Sequence, residues 1–501
     1  MSVLEFIDSD VFTPVYNNDI PLINSPNVNR ICSELFYAIK NREEIFLYGD
    51  YDMDGFCSVG VWKEVLCLAG ATPPTLFRYQ NRTHHVDKAI LKQLRENSPN
   101  SRVVLICDTG SSSEDFPTIQ MISMMGKLPI VIDHHEYAGH YSADSTYRPI
   151  FNTVEEANCL ANAKVSGAYA SLLVAKVLCE KYLGCPLSYN AKVFALASMY
   201  ADSVDMSSPL ARALYNSVAI TGASGPDMFA QLNEWKYLYG RRFFSFIVAP
   251  KLNGCFRTEQ FGILNDVLGA PTKYELQDAT RRLCAVHQEA SNLTKIFVSE
   301  FTRHRIGDIV LCVHNQNDET QAMHIRNFTG VVATRIAHEE QAIAIVVVRN
   351  SHYYDGSFRD FYSRPMLSTF QLFCHAGGHD SAFGVAFNDI DDFKRHLVHL
   401  NKVLNTEYAK SFVTLSSAVV ESDDDIDALA MYNEYMNMRP SVVVHHKVKD
   451  LVLARNTAFN KYYTVGLPTK RQLMTKRQLQ EGSSVLIEPM LCRGVELRER
   501  E

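Results

Sequence analysis

Short apolar segments alternate with longer stretches of helical periodicity over the first 205 residues. Residues 45–48, 103–107 and 129–132 have the length and composition of buried strands, and residues 56–69, 113–125 and 166–183 have the pattern of helices. This alternation predicts a parallel sheet with helices on both faces. Acidic residues follow each predicted strand, and such sheets bind ligands at the carboxyl ends of their strands. We therefore expect an α/β domain with a functional site at one edge of its sheet.

The pattern changes after residue 205. Residues 206–250 are mixed and mostly helical, and residues 274–303 form a long helical stretch without Gly or Pro that we interpret as a connector. A second strand–helix–strand pattern starts near Asp308 and ends with a helix over 389–404. We expect four parts: an α/β domain over 1–205, a helical connector over 206–305, a smaller α/β domain over 306–405, and a mostly β region over 406–501.

The last of these parts has an uneven charge. An acidic run at residues 421–427 precedes its β-like stretch, and we interpret residues 423–425 as a solvated loop. Between Arg439 and Arg477 there are nine Lys or Arg residues and one Asp or Glu, a local net charge of +8. The whole chain has a formal net charge of −7, so a nucleic-acid partner requires a local cationic surface of this kind.

The composition indicates the class of protein and its cellular environment. A chain of 501 residues is too long to fold around a single hydrophobic core, and a content of 47% hydrophobic and 21% charged residues is ordinary for globular proteins. The twelve cysteines include no C-x-x-C pair, which favours reduced thiols over a zinc site or a disulfide framework. No signal-peptide pattern and no apolar run of about 20 residues is apparent. We expect a soluble, cytoplasmic protein without a membrane partner.

Four acidic segments carry the candidate chemistry: GDYDMDG (49–55), CDTG (107–110), IDHH (132–135) and YADSVD (200–205). The first three directly follow predicted strands. Converging carboxylates repel one another unless cations neutralise them. Carboxylate oxygens with imidazole suit Mn²⁺ or Mg²⁺ better than zinc. The sequence therefore predicts a metal site.

Each segment alone is a weak signal. An isolated D-x-D is common on loops, and the chain holds two further His-His pairs, at 84–85 and 445–446. Neither pair follows a strand and an Asp, as His134 and His135 do. We interpret the pair at 445–446 as unrelated to metal, and the pair at 84–85 as at most a substrate contact.

Together and in this order, the four segments resemble the motifs of the DHH phosphoesterase superfamily. The resemblance implies a carboxylate that bridges two divalent cations, Mn²⁺ or Mg²⁺, with Asp52 helping to hold the first cation. It also implies a histidine against the scissile phosphate, which a neighbouring Asp orients. The residues concerned are Asp108 as the bridge, Asp54, His134 and Asp202 on the second cation, His135 on the phosphate and Asp133 as the orienting carboxylate.

One position departs from the pattern. Many members of the superfamily carry a His four residues before the first metal-binding Asp, and this chain has Tyr48 there. The first cation is then one ligand short. Asp50 or water is expected to fill the place.

The second α/β part extends the resemblance. HAGGHDSAFG (375–384) resembles the Gly-Gly-His motif of the DHHA1 domain, which implies that Gly377, Gly378 and His379 contact substrate phosphate. Glycines of an ordinary turn are an equally good interpretation of the segment by itself.

Further segments resemble the RecJ branch. DGSFRD (355–360) is similar to its Gly-Ser-x-Arg-Ser segment and implies Ser357 and Arg359 as phosphate contacts, with Asp360 in place of Ser. APKLNGCFR (249–257) and RYQNRT (78–83) are looser matches. They imply substrate contacts at Asn253, Arg257 and Arg82.

The resemblance covers roughly residues 30–400 and leaves the last part open. RecJ proteins often carry an OB-like barrel there. The basic stretch, with Tyr462 and Tyr463, would suit single-strand binding by charge and stacking. A contact with another subunit, or with a replication or repair partner through residues 406–501, is a nearly equal alternative.

The function that the resemblance implies is a RecJ-like exonuclease that degrades single-stranded DNA from 5′ to 3′ and releases mononucleotides. One alternative is a DHH-type phosphodiesterase for oligonucleotides or cyclic dinucleotides, but such enzymes are typically shorter. The other is an inactive DHH scaffold in a replication or repair complex. A scaffold predicts lost metal ligands, whereas here only position 48 differs.

Overall fold

The computed structural model describes most of the chain. The residues described are 20–79, 85–135, 150–154, 156, 160, 164–202, 204, 206, 208–219, 225–233, 239–314, 324–350, 352–361, 364–379, 381–404, 412–416, 420, 422–435, 441–447, 451–454, 460–464, 472–475, 484–491 and 495–500.

A five-stranded parallel sheet organises the first part, as the sequence predicts. Its elements are α1 (Pro26–Lys40), β1 (Ile45–Gly49), α2 (Met53–Leu68), β2 (Thr75–Leu76), α3 (Ala89–Glu96), β3 (Val103–Cys107), α4 (Phe116–Met124), β4 (Leu128–Asp133), β5 (Ile150–Asn152), α5 (Gly167–Val177) and α6 (Tyr189–Ala201). The strand order is β2-β1-β3-β4-β5. The strands β1 and β3 are buried along their whole length, since helices flank both faces.

The register of this sheet fixes where the acidic segments meet. Gly49 of β1 lies opposite Cys107 of β3, and Cys107 lies opposite Ile132 of β4. The residues that follow these three positions therefore leave the sheet at one level. Asp50, Asp108 and Asp133 are those residues.

Helices follow α6, as expected for residues 206–250. They are α7 (Pro209–Ala219), α8 (Asp227–Leu232), α9 (Arg241–Phe243), α10 (Ala249–Arg257), α11 (Gly262–Gly269) and α12 (Lys273–Glu300), and π-helical turns cover 178–183 and 244–248. The long α12 ends three residues before the predicted end at 303. Thr302 and Arg303 pair with the following strand as part of a hairpin that turns at Gly307, where φ is +59°.

A six-stranded mixed sheet follows α12. Its elements are β6 (Thr302–Ile306), β7 (Ile309–His314), α13 (Thr329–Glu340), β8 (Ile343–Arg349), β9 (Tyr354–Asp360), α14 (Leu367–Phe370), β10 (His375–His379), β11 (Ala382–Phe387) and α15 (Ile390–Val403). The strand order is β10-β11-β9-β8-β7-β6, with β7 and β8 parallel. Two apolar clusters lie on its faces, one under α13 and α12 and one under α15. This is the smaller α/β part that the sequence predicts.

The last part is mostly β. It contains β12 (Phe412–Ser416), α16 (Asp423–Tyr435), β13 (Ser441–Lys447), β14 (Leu451–Ala454), β15 (Asn460–Thr464), β16 (Gln472–Thr475), β17 (Ser484–Leu491) and β18 (Val495–Arg500). The seven strands form one sheet in the order β12-β13-β17-β18-β16-β15-β14. Tyr462 and Tyr463 lie on β15, and the second His-His pair at 445–446 lies on β13; the side chains of all four are outside the described set.

The interpretation of residues 423–425 as a loop is wrong. They form the first turn of α16, and a reciprocal cap holds this helix start. Ser422 N donates to Asp425 Oδ2 at 3.0 Å, and Asp425 N donates to Ser422 Oγ at 3.2 Å. Carboxylates in the first turn are favoured by the helix dipole, so an acidic run can start a helix as well as extend a loop.

The chain divides into two compact units. The first contains residues 1–253, 259–283 and 414–501, and the second contains 254–258 and 284–413. The four-part division expected from the sequence stays a prediction. None of the described helices is long and apolar enough to cross a membrane. The ten cysteines in the described part of the chain are free thiols.

Candidate metal centre

The turn from β1 into α2 presents the first three carboxylates. Asp52 caps α2 and accepts a hydrogen bond from Gly55 N at 3.0 Å. Gly55 packs directly on the strand end, because a Cβ there would lie 2.6 Å from the Asp50 carbonyl carbon. The turn is therefore closed enough for Asp50, Asp52 and Asp54 to share one site.

Asp54 lies against the start of α5 and is 3% exposed. Gly167 N donates to Asp54 Oδ2 at 2.7 Å, and Ala168 N donates to Asp54 Oδ1 at 2.8 Å. These N–H groups belong to the first turn of a helix whose N-terminus favours negative charge. Ser198 also hydrogen-bonds to Asp54. The position of this carboxylate is thus fixed before any ligand binds.

Asp108 lies at the end of β3 in the left-handed region of backbone conformation, with φ at +63°. Its backbone N–H donates to Ile132 O at 2.8 Å. The side chain is 1% exposed, and within the described part of the chain neither carboxylate oxygen accepts a hydrogen bond. A buried carboxylate in this state is stable only when a proton or a cation neutralises it. Asp108 therefore has the environment of a metal ligand.

The two histidines after β4 differ in their surroundings. His134 Nδ1 lies 2.8 Å from Val165 O, so Nδ1 carries the proton and Nε2 faces the carboxylates. Nε2 of His134 lies 3.1 Å from Asp108 Oδ1 and 3.7 Å from Asp54 Oδ2. The His135 side chain is 47% exposed, and its Nδ1 lies 2.8 Å from Asp133 Oδ1.

These side chains form three overlapping groups with the spacing of metal ligands. One group is Asp50, Asp52 and Asp108, a second is Asp54, His134 and Asp202, and a third is Asp108, His134 and His135. Within each group the donor atoms lie within 4.8 Å of one another. Seven of the predicted residues, Asp50 among them, thus lie together, and Asp133 joins them through its contact with His135.

The electrostatics of the cluster support a cation. Burial, followed by repulsion from Asp202 and Asp52, raises the pKa of Asp54 to about 8. Burial, followed by repulsion from Asp54, Asp52 and Asp50, also raises the pKa of Asp108 well above its ordinary value. Carboxylates this close cannot all ionise without neutralising charge. Divalent cations supply that charge, and the oxygen-rich donor set suits Mn²⁺ or Mg²⁺.

Asp133 and His135 form a separate ion pair beside the cluster. Burial alone would lower the pKa of His135, but Asp133 and the more distant Asp50 outweigh it and raise the pKa to about 10. Burial would raise the pKa of Asp133, but His135 and His134 hold it below its ordinary value. A positively charged His135 next to the metal site is suited to contact phosphate.

The Tyr48 hydroxyl is hydrogen-bonded to residues 85–87 and to none of the ligand groups. It donates to His85 O at 3.1 Å and accepts from Asp87 N at 2.9 Å. The ring is 1% exposed and packs against Phe77, with ring centroids 4.5 Å apart. Tyr48 therefore anchors residues 85–87, and Asp50 occupies the ligand group next to it.

Two predicted phosphate contacts of the second unit, Ser357 and Arg359 of β9, lie against the start of α13. Ser357 Oγ is 2.9 Å from Thr329 Oγ1. The Arg359 guanidinium lies over Gly330, since a Cβ there would be 3.0 Å from Nη2. Burial lowers the pKa of Arg359 to about 10, which leaves it positively charged at neutral pH. A helix start beside Ser and Arg side chains is a favourable environment for a phosphate group.

Asp360, the departure from the RecJ pattern, has a partner of its own. It forms a buried bidentate pair with Arg364, with Nε to Oδ2 at 2.6 Å and Nη2 to Oδ1 at 2.8 Å. Loss of the usual Ser is thus accompanied by a charged partner for the carboxylate that replaces it.

The other predicted substrate contacts lie on nearby elements. Gly377 pairs with Gly384, which pairs with Ser357, and His379 pairs with Ala382, which pairs with Arg359. Asn327, just before α13, donates from Nδ2 to Arg257 O at 3.3 Å. Gly377 and Gly378 are on the edge strand β10, with φ of Gly378 at +132°, and His379 ends that strand with its side chain outside the described set. Asn253 and Arg257 lie on α10. Arg82 lies outside the described residues.

Sequence reasoning missed several residues that shape the site. Gly167 contacts Asp108 so closely that a Cβ would lie 2.7 Å from its Cγ. Ser166 caps α5 and pairs with Ser198. The cap at Ser166 has a sequence signal, since Ser before a helical stretch is typical of an N-cap. The contact between Gly167 and Asp108 depends on topology and leaves no local signal.

Comparisons with known proteins agree with this description. The family model described as "DHH family, N-terminal domain" matches residues 44–199. RecJ from Thermus thermophilus in complex with Mn²⁺ has a similar structure, with a TM-score of 0.73 at 15% identity, covering 100% of this chain and 75% of that one. Its complex with Mg²⁺ gives a TM-score of 0.69 at 14% identity, covering 100% and 73%.

A further solved structure, exonuclease RecJ bound to manganese, has a TM-score of 0.56 at 17% identity. The match covers 77% of this chain and 97% of the RecJ chain. At these identities the likeness is one of fold. No curated protein matches the sequence.

Proposed function

We propose that this chain is a metal-dependent phosphodiester hydrolase of the DHH superfamily, because its residues 44–199 match the DHH family model and its fold is similar to that of RecJ. In its specific form, the proposal is a 5′-to-3′ exonuclease that releases mononucleotides from single-stranded DNA. The proposed setting is cytoplasmic, and residues 406–501 are the proposed contact for a replication or repair partner.

One observation carries the proposal. Asp108 is buried, accepts no hydrogen bond from the described residues, and belongs to two of the three ligand groups. A carboxylate shared by adjacent groups is suited to bridge two cations. This supports Asp50, Asp52 and Asp108 on one cation, with Asp108, Asp54, His134 and Asp202 around the other.

Paired divalent cations supply a nucleophilic water at neutral pH and neutralise charge in the transition state of phosphodiester hydrolysis. In the first unit, His135, whose Nδ1 is bound to Asp133, has its other nitrogen available for a phosphate oxygen. In the second unit, Ser357 and Arg359 offer a hydroxyl and a guanidinium to a phosphate group.

The ligand set, which departs from the superfamily pattern only at Tyr48, argues against the inactive scaffold. A scaffold has no need to keep a buried carboxylate cluster whose members repel one another, because such a cluster destabilises the fold unless cations bind. The oligonucleotide phosphodiesterase shares the same metal centre. It differs from the exonuclease in the length of strand that is cleaved.

The test is a direct comparison of substrates. The purified chain with Mn²⁺ or Mg²⁺ is given end-labelled long single-stranded DNA, long single-stranded RNA and a dinucleotide, and products are resolved over time. We expect mononucleotides from the 5′ end of DNA. The Asp108→Asn variant is expected to abolish release, whereas Asp278→Asn, an exposed carboxylate on α12, retains it.

Other outcomes separate the alternatives. Cleavage of the dinucleotide alone supports the oligonucleotide phosphodiesterase, and cleavage of RNA alone overturns the DNA assignment. Mn²⁺ binding without hydrolysis of any substrate would support the scaffold.

A further inference from the structure

A buried asparagine outside all the predicted motifs lies next to the metal centre. Asn152 ends β5, lies opposite Asp133 in the sheet, and is 0% exposed. Its Nδ2 donates to Ser111 Oγ at 2.7 Å and to His135 O at 3.0 Å, and its Oδ1 accepts from Val154 N at 2.8 Å. Both amide protons and the amide oxygen are therefore used.

These bonds join two loops of the site. Ser111 lies in the loop after β3 and His135 in the loop after β4, so one amide fixes the spacing between the loops. Ser111 in turn donates its backbone N–H to Asp133 Oδ2 at 3.1 Å, and its side chain also hydrogen-bonds to Asp133.

Asp133 completes the connection to the imidazole. Its Oδ1 accepts from His134 N at 2.7 Å, from His135 N at 3.3 Å and from His135 Nδ1 at 2.8 Å. With Nδ1 bound in this way, Nε2 is the nitrogen left to face the group that contains Asp108 and His134.

We infer that Asn152 is a positioning residue, which fixes the imidazole of His135 through its bond to His135 O and through Ser111 and Asp133. The inference rests on the proposed function, because His135 has a role in the reaction only if the chain hydrolyses phosphodiesters. Asn152 itself reaches neither substrate nor cation. Its effect is on the orientation of the ring.

A residue that only stabilises the fold would behave differently. Its loss would lower stability without a specific effect on turnover, and its effect would add to that of a His135 variant. A positioning residue acts through His135, so its effect disappears once that imidazole is gone.

The experiment compares Asn152→Ala with the wild type in steady-state hydrolysis. We expect kcat to fall about 10- to 100-fold, as for partners that orient functional histidines, with KM little changed. In a His135→Gln background, Asn152→Ala is expected to lower kcat by less than about twofold further. Ser111→Ala, which removes one hydroxyl, is expected to lower kcat in the same direction and serves if Asn152→Ala does not fold.

The matched control is Asn433→Ala. Asn433 is also buried, and its Nδ2 donates to a main-chain carbonyl, Pro489 O, at 2.9 Å, far along the chain from the motifs. It is expected to lose stability without a comparable loss of kcat. Equal kcat for the Asn152 and Asn433 variants, or an undiminished Asn152 effect in the His135→Gln background, would overturn the inference.

A second readout is independent of hydrolysis. With ¹⁵N-labelled histidine, the Nδ1–H signal of His135, assigned by its absence in His135→Gln, reports the bond to Asp133. We expect Asn152→Ala to shift or broaden this signal. If the wild type cleaves no phosphodiester, the proposed function fails, but this signal still tests whether Asn152 positions His135. A signal that is unchanged in Asn152→Ala would contradict the positioning role.

Discussion

Gly167 is packed tightly against the carboxylates of the candidate metal centre. It is the first residue of α5, it donates its N–H to Asp54, and a Cβ would collide with Asp108. No larger residue can hold both carboxylates in these positions. The site therefore depends on a residue that ligates nothing.

The first prediction concerns Gly167→Ala. Displacement of Asp108 is expected to weaken Mn²⁺ binding about tenfold or more, measured by calorimetric titration. Gly262→Ala is the matched control, because Gly262 also begins a helix but has open space at its Cβ position. Equal Mn²⁺ affinity in the two variants would contradict the packing argument.

The second prediction concerns Tyr48, where superfamily members often have a metal-binding His. Tyr48→Phe leaves His85 O and Asp87 N without their hydroxyl partner, which is expected to cost about 1–3 kcal/mol of unfolding free energy. Since the hydroxyl is bound to residues 85–87 and belongs to none of the ligand groups, Mn²⁺ affinity should stay unchanged. Denaturant unfolding and Mn²⁺ titration of the same variant check the two statements. A clear loss of Mn²⁺ affinity would show that Tyr48 serves the metal.

At the scale of elements, the end of β9 shows how a departure from a motif is accommodated. Asp360 replaces Ser, and Arg364, four residues later, neutralises it in a buried bidentate pair. Paired charges of this kind stabilise little compared with apolar residues, but a single buried charge is costly. We therefore expect replacement of either residue alone to destabilise the chain more than replacement of both.

The third prediction follows from that pair. Arg364→Met is expected to destabilise the chain by about 3–5 kcal/mol because it removes the charged side-chain partner of a buried carboxylate, and adding Asp360→Ser should recover most of the loss. Arg395→Ala, which removes an exposed pair with Asp392, is the control and should change stability little. Urea unfolding of the wild type and these three variants measures this. A double variant as unstable as Arg364→Met alone would refute the coupling.

The strands that carry the site were predictable because their signals are local. Residues 103–107 match β3 to the residue, and the acidic segments follow directly, so the sheet edge and its ligands were found together. Element ends were less predictable. Residues 302–303 continue a helical pattern, but hairpin pairing with β7 decides their conformation.

Contacts between distant segments could not be predicted from the sequence. Asn152 and Gly167 belong to no motif, and their roles depend on the loop and helix against which the fold places them. The acidic run at 423–425 had a signal, Ser422 with Asp425 three residues later. That spacing is typical of a capping box, yet the run of charge favoured a loop.

For the whole molecule, the fourth prediction is a dependence of stability on pH. The pKa of Asp54 is about 8 in the folded chain and 3.8 as an isolated group, and that of Asp108 is raised in the same direction. Between these values the folded state binds more protons than the unfolded state. The free energy of unfolding of the metal-free chain therefore falls as pH rises from about 4 to about 8.

Thermal unfolding measures this. In EDTA, the melting temperature is expected to fall from about pH 6 to about pH 8.5, and the increase produced by Mn²⁺ is expected to grow over the same range. A melting temperature in EDTA that rises over this range would contradict the assignment of buried, mutually repelling carboxylates.

The parallel sheet of the first unit has a further consequence, which comes from its two outermost strands. β2 has two residues and β5 has three, and they are the edges of the sheet. A long exposed edge offers unpaired N–H and C=O groups to another chain, but edges this short offer few. Among the described residues, the sheet that carries the candidate metal centre therefore offers little edge for edge-to-edge aggregation, even though its central strands are apolar and rich in β-branched residues.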